Sequence, residues 1–174
     1  YFQVDNPLVR IIDPVFIGFH KMHDAEVSSK ALVKAYPEEK IGVFVQFSNN
    51  RIGVVEYSDL PLEKQYERDE QGQLRYAAGS IAIHLFNTRF IASVTGSNVT
   101  LPFHVAKKSI PKYTDKGIQH ITGYKFEKFV FDALPLTQHN FILETKREEE
   151  FAPVKNKTGV DSVESAQELM INLH

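Results

Sequence analysis

The chain has 174 residues, 43% hydrophobic and 24% charged, which is enough apolar surface for one ordinary core. Its 20 Lys and Arg against 22 Asp and Glu leave a net charge of -2, which excludes a global field that would gather nucleic acid or an anionic membrane. The absence of cysteine excludes disulfides, thiolate metal sites and a cysteine nucleophile, and no apolar run approaches the roughly 20 residues of a membrane span.

Tyr1 to Val4 reads as a strand, and Asp5-Asn6-Pro7 follows as a strand-ending turn. Asp5 thus sits at a carboxyl end, where open α/β sheets place ligands, although spacing alone favours the turn. His20 and His23, three apart, could suit a metal on a helix, but no third ligand is evident and surface histidines are expected. The clearest β signal covers 40–57: Ile41, Val43, Val45 and Phe47 alternate, Ser48-Asn49-Asn50 can turn, and Ile52, Val54 and Glu56 alternate again. That phase puts the Glu56 carboxylate on the apolar face, where it needs a partner or a ligand.

Residues 80–94 read as a helix capped by Ser80, with Ala82, Phe86, Phe90 and Val94 on one stripe. A second helix is expected over 125–134, entered at Lys125 and stopped by Pro135, since Phe126, Phe129, Val130, Ala133 and Leu134 recur at helical spacing. A strand is expected at 141–145, and Asp161-Ser162-Val163-Glu164 opens a last helix running to Leu173. The segments 58–77 and 95–124 are long for plain connections and are expected to be binding loops or irregular excursions. Both ends run straight into ordered elements, so a piece of a longer protein, prone to self-association through an exposed sheet edge, is expected. Lys125 and Lys155 are single cations inside apolar or turn-rich stretches, and surface snorkelling explains most such lysines. No phosphate-cradling Gly-rich loop, nucleophile elbow or zinc-protease motif occurs. Taken by themselves the residues reach a water-soluble α/β or α+β chain of a reducing, cytoplasmic compartment.

Several ordered blocks carry more. Val4-Asp5-Asn6, Asp13-Pro14 with Phe16-Ile17-Gly18, Ser29-Lys30, Gly42-Val43 and Val54-Val55-Glu56-Tyr57-Ser58 are followed by Ala78-Gly79, Phe126 to Asp132, Arg147 to Asn156 and Leu169-Met170. In these blocks the chain resembles the UDP-N-acetylhexosamine pyrophosphorylases, also called UDP-sugar uridylyltransferases, over nearly its full length. The resemblance implies part of a Rossmann-like, GT-A-type nucleotidyltransferase fold with a mixed sheet. It corresponds to the middle-to-late portion of the catalytic domain, without the family's N-terminal nucleotide-gripping motifs. It implies UTP and a sugar 1-phosphate, N-acetylglucosamine 1-phosphate first among them, as substrates, with Mg²⁺ as cofactor.

Residue by residue, the resemblance makes Asp5 the metal ligand, gives Gly42 and Glu56 the sugar hydroxyls, and has Tyr57 wall their pocket. It sets Phe129 and Phe131 beside the N-acetyl group, and brings Lys125 and Lys155 to the phosphates. Ser80 and Ile83 stand where the family commonly has Asn. A hydroxyl cannot supply the separate donor and acceptor of an amide, so UDP-glucose and related UDP-sugars stay open as products, as does a sugar-nucleotide-binding relative without turnover.

Overall fold

A computed structural model describes residues 1–173. In chain order the elements are α1 (Pro14–Met22), β1 (Val27–Val33), β2 (Val43–Gln46), β3 (Ile52–Val55), α2 (Leu62–Gln65), β4 (Ala78–Phe86) and α3 (Thr88–Gly96). They continue as β5 (His104–Thr114), β6 (Gly117–Glu127), a 3₁₀ segment (Val130–Leu136), β7 (Asn140–Glu144), α4 (Arg147–Glu150) and α5 (Val163–Leu173). Five strands form one mixed sheet in the order β3-β2-β4-β1-β7, antiparallel except for the parallel β1–β7 pair. This is the mixed α/β class that the sequence implies.

Local chemistry explains the clean boundaries. Asp13 caps α1: its Oδ1 accepts the N–H groups of Val15 and Phe16 at 3.0 and 3.3 Å, and Pro14 follows at the position that needs no donor. Asn87 does the same for α3, accepting from the N–H of Arg89 at 2.9 Å. Ahead of α5, Ser162 and Ser165 exchange reciprocal side-chain to backbone bonds at 3.0 and 3.3 Å, so Ser165 takes the role that a glutamate plays in the usual capping box.

Both faces of the sheet are covered. On one, Val27, Ala31 and Phe44 pack with Phe90 of α3 and with Phe131, Ala133 and Leu134 of the 3₁₀ segment. On the other, Leu32, Ile41, Ile81 and Ile83 pack with Phe16 of α1 and with Phe151. Leu8, Ala152 and Ala166 make a smaller cluster under α5.

The centre of the sheet is polar and fully paired in β1. Lys30 is 1% exposed and reaches Asp13 and Glu150, each at 2.7 Å. Burial tends to raise the Asp13 carboxyl, but the bond from Lys30, the helix N–H groups and the lysine charge hold it below the usual carboxylate range. Beside it Ser29 Oγ lies 2.8 Å from Nδ1 of the buried His84. Asn6 ties the first turn to the same region, donating to the Glu150 carbonyl and accepting from the Ala152 N–H.

Four expectations are corrected. Tyr1 to Val4 is not a strand, although Tyr1 exchanges backbone bonds with His84 at 2.9 and 3.0 Å. Residues 80–94 are the end of β4 followed by α3: Ile81 and Ile83 alternate inward as strand residues, and Ala82, at φ 55°, makes a bulge where Ser29 and Ala31 shift register. Ser80 is therefore a strand residue, not a helix cap. Residues 125–134 are the end of β6 and the start of the 3₁₀ segment, with Pro135 inside it, because Val105 to Ala106 pairs with Phe126 to Lys125 across the hairpin. Residues 95–124 are not a loose excursion but mostly this hairpin, a two-stranded arm whose strands of 11 residues each pair only with each other. The hairpin β2–β3, the strand β7 and the helix α5 stand where expected.

Candidate functional site

A cavity of about 250 Å³ opens at the edge of the sheet where β2, β3 and β4 meet the 3₁₀ segment. Its floor is made by close backbone packing: the N–H of Ser80 donates to the Gly42 carbonyl at 2.8 Å, and Val43 pairs with Gly79. A Cβ on Gly42 would meet Val54 Cγ1 at 2.7 Å and Glu56 Oε1 at 3.1 Å, so only glycine lets the Glu56 carboxylate fold back over the strand.

Glu56 is half-buried at the end of β3, and its carboxyl is pushed above the usual glutamate range. Burial is the main cause, and the nearby Asp59 and Asp132 add to it, while His104 and Lys155 pull in the other direction. A carboxylate held this way, with its acceptor lone pairs toward a cavity, is suited to receive hydroxyl donors from a ligand.

Phe129 and Phe131 form the facing wall. They stack with centroids 4.8 Å apart and planes 15° from parallel, because Phe129 is still extended before the 3₁₀ turn begins. Lys155 lies at the mouth with its Nζ 5.7 Å from the Phe151 ring. Its N–H donates to the Asp161 carbonyl at 2.7 Å, and the preceding Val154 N–H donates to the Asp5 carbonyl at 2.8 Å. This short pairing holds the Asp5 turn next to the lysine.

Seven of the nine residues singled out in the sequence thus line one cavity: Gly42, Glu56, Tyr57, Ser80, Phe129, Phe131 and Lys155. Asp5 and Lys125 are not among the residues that line it. Lys125 lies on β6, exposed, with its Nζ 2.7 Å from Glu127. Ile83, where the family commonly has Asn, is 5% exposed in the core and makes no part of the lining. Sequence reasoning missed Lys40 and Gln3, which also line the cavity. Lys40, directly before Gly42 and Ile41, could have been found from that block.

His20 and His23 have structural partners: Nδ1 of His20 lies 2.7 Å from Ser28 Oγ, and His23 stacks on Phe141 at 4.3 Å. Among the described residues no group of three or more His, Asp or Glu side chains converges as a metal site. A hard divalent cation near the cavity would therefore take no more than two such side chains from this chain. That fits Mg²⁺, which commonly uses one or two carboxylates and completes its shell with water and phosphate oxygens. The half-buried Asp5 offers such a carboxylate, since none of the hydrogen bonds among the described residues uses it.

A second cavity of about 350 Å³ adjoins the first, sharing Glu56, Tyr57 and Phe129 with it. Asp59, His104 and the base of the arm close its far side. No helix among the described residues is long and apolar enough to cross a membrane.

No protein-family model matches the chain. It is 38% identical to UDP-N-acetylglucosamine diphosphorylase 2 of Arabidopsis thaliana, over 99% of this chain and 35% of that protein. It is 40% identical to UDP-N-acetylhexosamine pyrophosphorylase-like protein 1 of Homo sapiens, over 98% of this chain and 35% of that one. Its fold superposes with a TM-score of 0.82 on the UDP-N-acetylglucosamine pyrophosphorylase of Trypanosoma brucei, solved with an inhibitor, at 32% identity over 98% of this chain and 34% of that chain. The chain spans about a third of the length of the curated relatives it matches.

Proposed function

We propose a function from the family to which the chain belongs, the UDP-N-acetylhexosamine pyrophosphorylases: it forms the sugar side of a uridylyltransferase site that joins N-acetylglucosamine 1-phosphate to UTP. A phosphate oxygen of the sugar phosphate attacks the α-phosphorus of UTP in line. The bond to the β-phosphate breaks and pyrophosphate leaves, with no covalent enzyme intermediate. The observation that carries the reading is the convergence of seven separated residues on one cavity, six of them suited to hold a sugar and one a cation at its mouth.

Each residue has a physical task. Glu56 accepts hydrogen bonds from two ring hydroxyls, and Gly42 leaves the room that this approach needs. Tyr57 and the Phe129/Phe131 stack exclude water and give the N-acetyl methyl an apolar wall. Ser80, with a single hydroxyl, tunes preference between the acetylated and plain hexose. Lys155 offsets the negative charge that accumulates as the two phosphates close. Asp5 would hold Mg²⁺, which supplies further neutralisation of the phosphate oxygens when bound. Lys125 has no task in this geometry.

Calorimetry of the chain with N-acetylglucosamine 1-phosphate, glucose 1-phosphate and UDP-N-acetylglucosamine, each with and without Mg²⁺, tests the proposal. Expected are preference for the N-acetyl sugar phosphate and a loss of at least about tenfold in affinity for Glu56→Gln, the equivalent of one charge-assisted bond. Ser80→Asn is expected to move the ratio of affinities toward the N-acetyl sugar. Equal affinity of wild type and Glu56→Gln would overturn the reading.

A further inference from the structure

We infer that His104 is a positioning residue for the sugar site: from the base of the β5–β6 arm it pins the Phe129/Phe131 wall and balances the carboxylates around Glu56. The inference rests on the sugar-site reading above and assigns the site a residue from an element that does not line its main cavity.

The geometry is a bracket between three separate pieces of chain. His104 opens β5, opposite Glu127 at the end of β6. Its Nε2 lies 2.9 Å from Asp132 Oδ2 in the 3₁₀ segment, and its Nδ1 lies 3.7 Å from Asp59 Oδ2 in the turn after β3. The ring packs against Phe129 with centroids 4.8 Å apart and meets Phe131 nearly edge-on at 6.1 Å. Phe129 therefore lines the sugar cavity and also packs on His104. With centroids 4.8 and 6.1 Å from the two rings the imidazole flanks the stacked pair and touches both members, so it limits how far the wall can turn.

The electrostatics point to the same residue. Glu56 and Asp59 come from the turn after β3, Asp132 from the 3₁₀ segment and Glu127 from the end of β6, so four carboxylates gather around one small region. The cations facing them are Lys155 at the mouth of the sugar cavity, and Lys107 and Lys108 on β5, with Glu127 already engaged by Lys125. Among these elements His104 alone contacts two of the carboxylates. Its pull on Glu56 opposes burial and the neighbouring carboxylates, and so favours the ionised form that accepts the sugar hydroxyls.

Two substitutions separate geometry from charge. His104→Ala removes both the packing and the donor. His104→Gln keeps an amide N–H in the place of Nε2–H but can carry no charge. For N-acetylglucosamine 1-phosphate, His104→Ala is expected to weaken binding about tenfold at pH 8, and His104→Gln to return it to within about threefold of wild type. In both variants the pH below which binding fails is expected to rise, since neither keeps the imidazole that opposes the upward push on the Glu56 carboxyl. A residue that served folding alone would leave that acid limb in place.

A ligand-free measurement keeps the two readings distinguishable: the side-chain carboxyl carbon of Glu56, followed by NMR, is expected to titrate at higher pH in both variants, with the Phe129 and Phe131 ring signals moving in His104→Ala. If wild type binds no sugar phosphate, the function proposed above fails, and this titration still decides the role of His104. If His104→Ala binds as wild type, or if the Glu56 titration and the ring signals are unchanged in both variants, His104 is not a positioning residue. Should His104→Ala fail to fold, His104→Gln carries the titration and the acid limb.

Discussion

β1 has seven residues, six of them buried, and three of those six are Ser28, Ser29 and Lys30. The arm has 22 strand residues, and on it Val105, Tyr113, Ile118, Tyr124 and Phe126 are all more than half exposed. Polarity alone would have assigned the two the other way round. A strand is interior when layers cover both of its faces, and its polar groups are then tolerated if each finds a partner. The arm pairs only with itself, so its apolar residues have no layer to enter.

The comparison is broken most severely at Lys30. Lys30→Met leaves Asp13 and Glu150 facing each other without a cation and is expected to destabilise the fold by about 3–5 kcal/mol in urea titration. Lys125→Met on the arm breaks an equally short pair but an exposed one, and less than about 1 kcal/mol is expected. Similar losses from the two substitutions would remove the distinction between these regions.

His84, buried in β4 against β1, gives the next effect. Burial above all, with a smaller push from the amino-terminal charge, lowers its imidazole from 6.5 to about 4. The folded state therefore resists a proton that the unfolded chain takes up at about 6.5. Stability present above that pH should fall as the pH drops toward 4, by up to about 3 kcal/mol. Thermal unfolding from pH 7 to 4 measures it, and His84→Gln should flatten that slope.

Smaller still is Gly42→Ala, where the new methyl would crowd Val54 and Glu56. About 1–3 kcal/mol of stability is expected to be lost, with sugar-phosphate affinity falling in parallel. The smallest effect belongs to the arm tip: Tyr113→Lys, at a residue 85% exposed, should stay within about 0.5 kcal/mol of wild type. Amide exchange sharpens the contrast, with arm amides expected to exchange faster than those of β1.

The β2–β3 hairpin, β7 and α5 were legible because their signals are local: two alternating runs around Ser48-Asn49-Asn50, a short apolar run, and a serine cap before a helical stripe. β1 escaped because Ser28-Ser29-Lys30 interrupts any apolar pattern, and only its neighbours reveal why those residues can be buried. The 80–94 and 125–134 segments were misread for one shared reason. Apolar residues four apart, such as Ala82, Phe86 and Phe90, fit a helix, yet here they straddle a strand and the element that follows. The strand half is held by pairing with residues tens of positions away, which periodicity does not register.

The site divides in the same way. Glu56 was legible as a carboxylate on an apolar phase, and the family blocks marked Gly42, Tyr57, Ser80, Phe129, Phe131 and Lys155, all of which the fold brings to one cavity. The resemblance brings Lys125 and Lys155 alike to the phosphates, and the fold separates them: one lines the cavity and the other lies on the arm. Nothing in the sequence marked His104, since its partners Asp59 and Asp132 are 45 and 28 residues away. By itself the sequence determined the class of fold, the local elements with strong caps or turns, and the inventory of groups able to meet a sugar phosphate. Only the tertiary structure decided which polar residues are buried, which strands stay exposed and which charges meet, because those outcomes depend on distances between segments that no local pattern encodes.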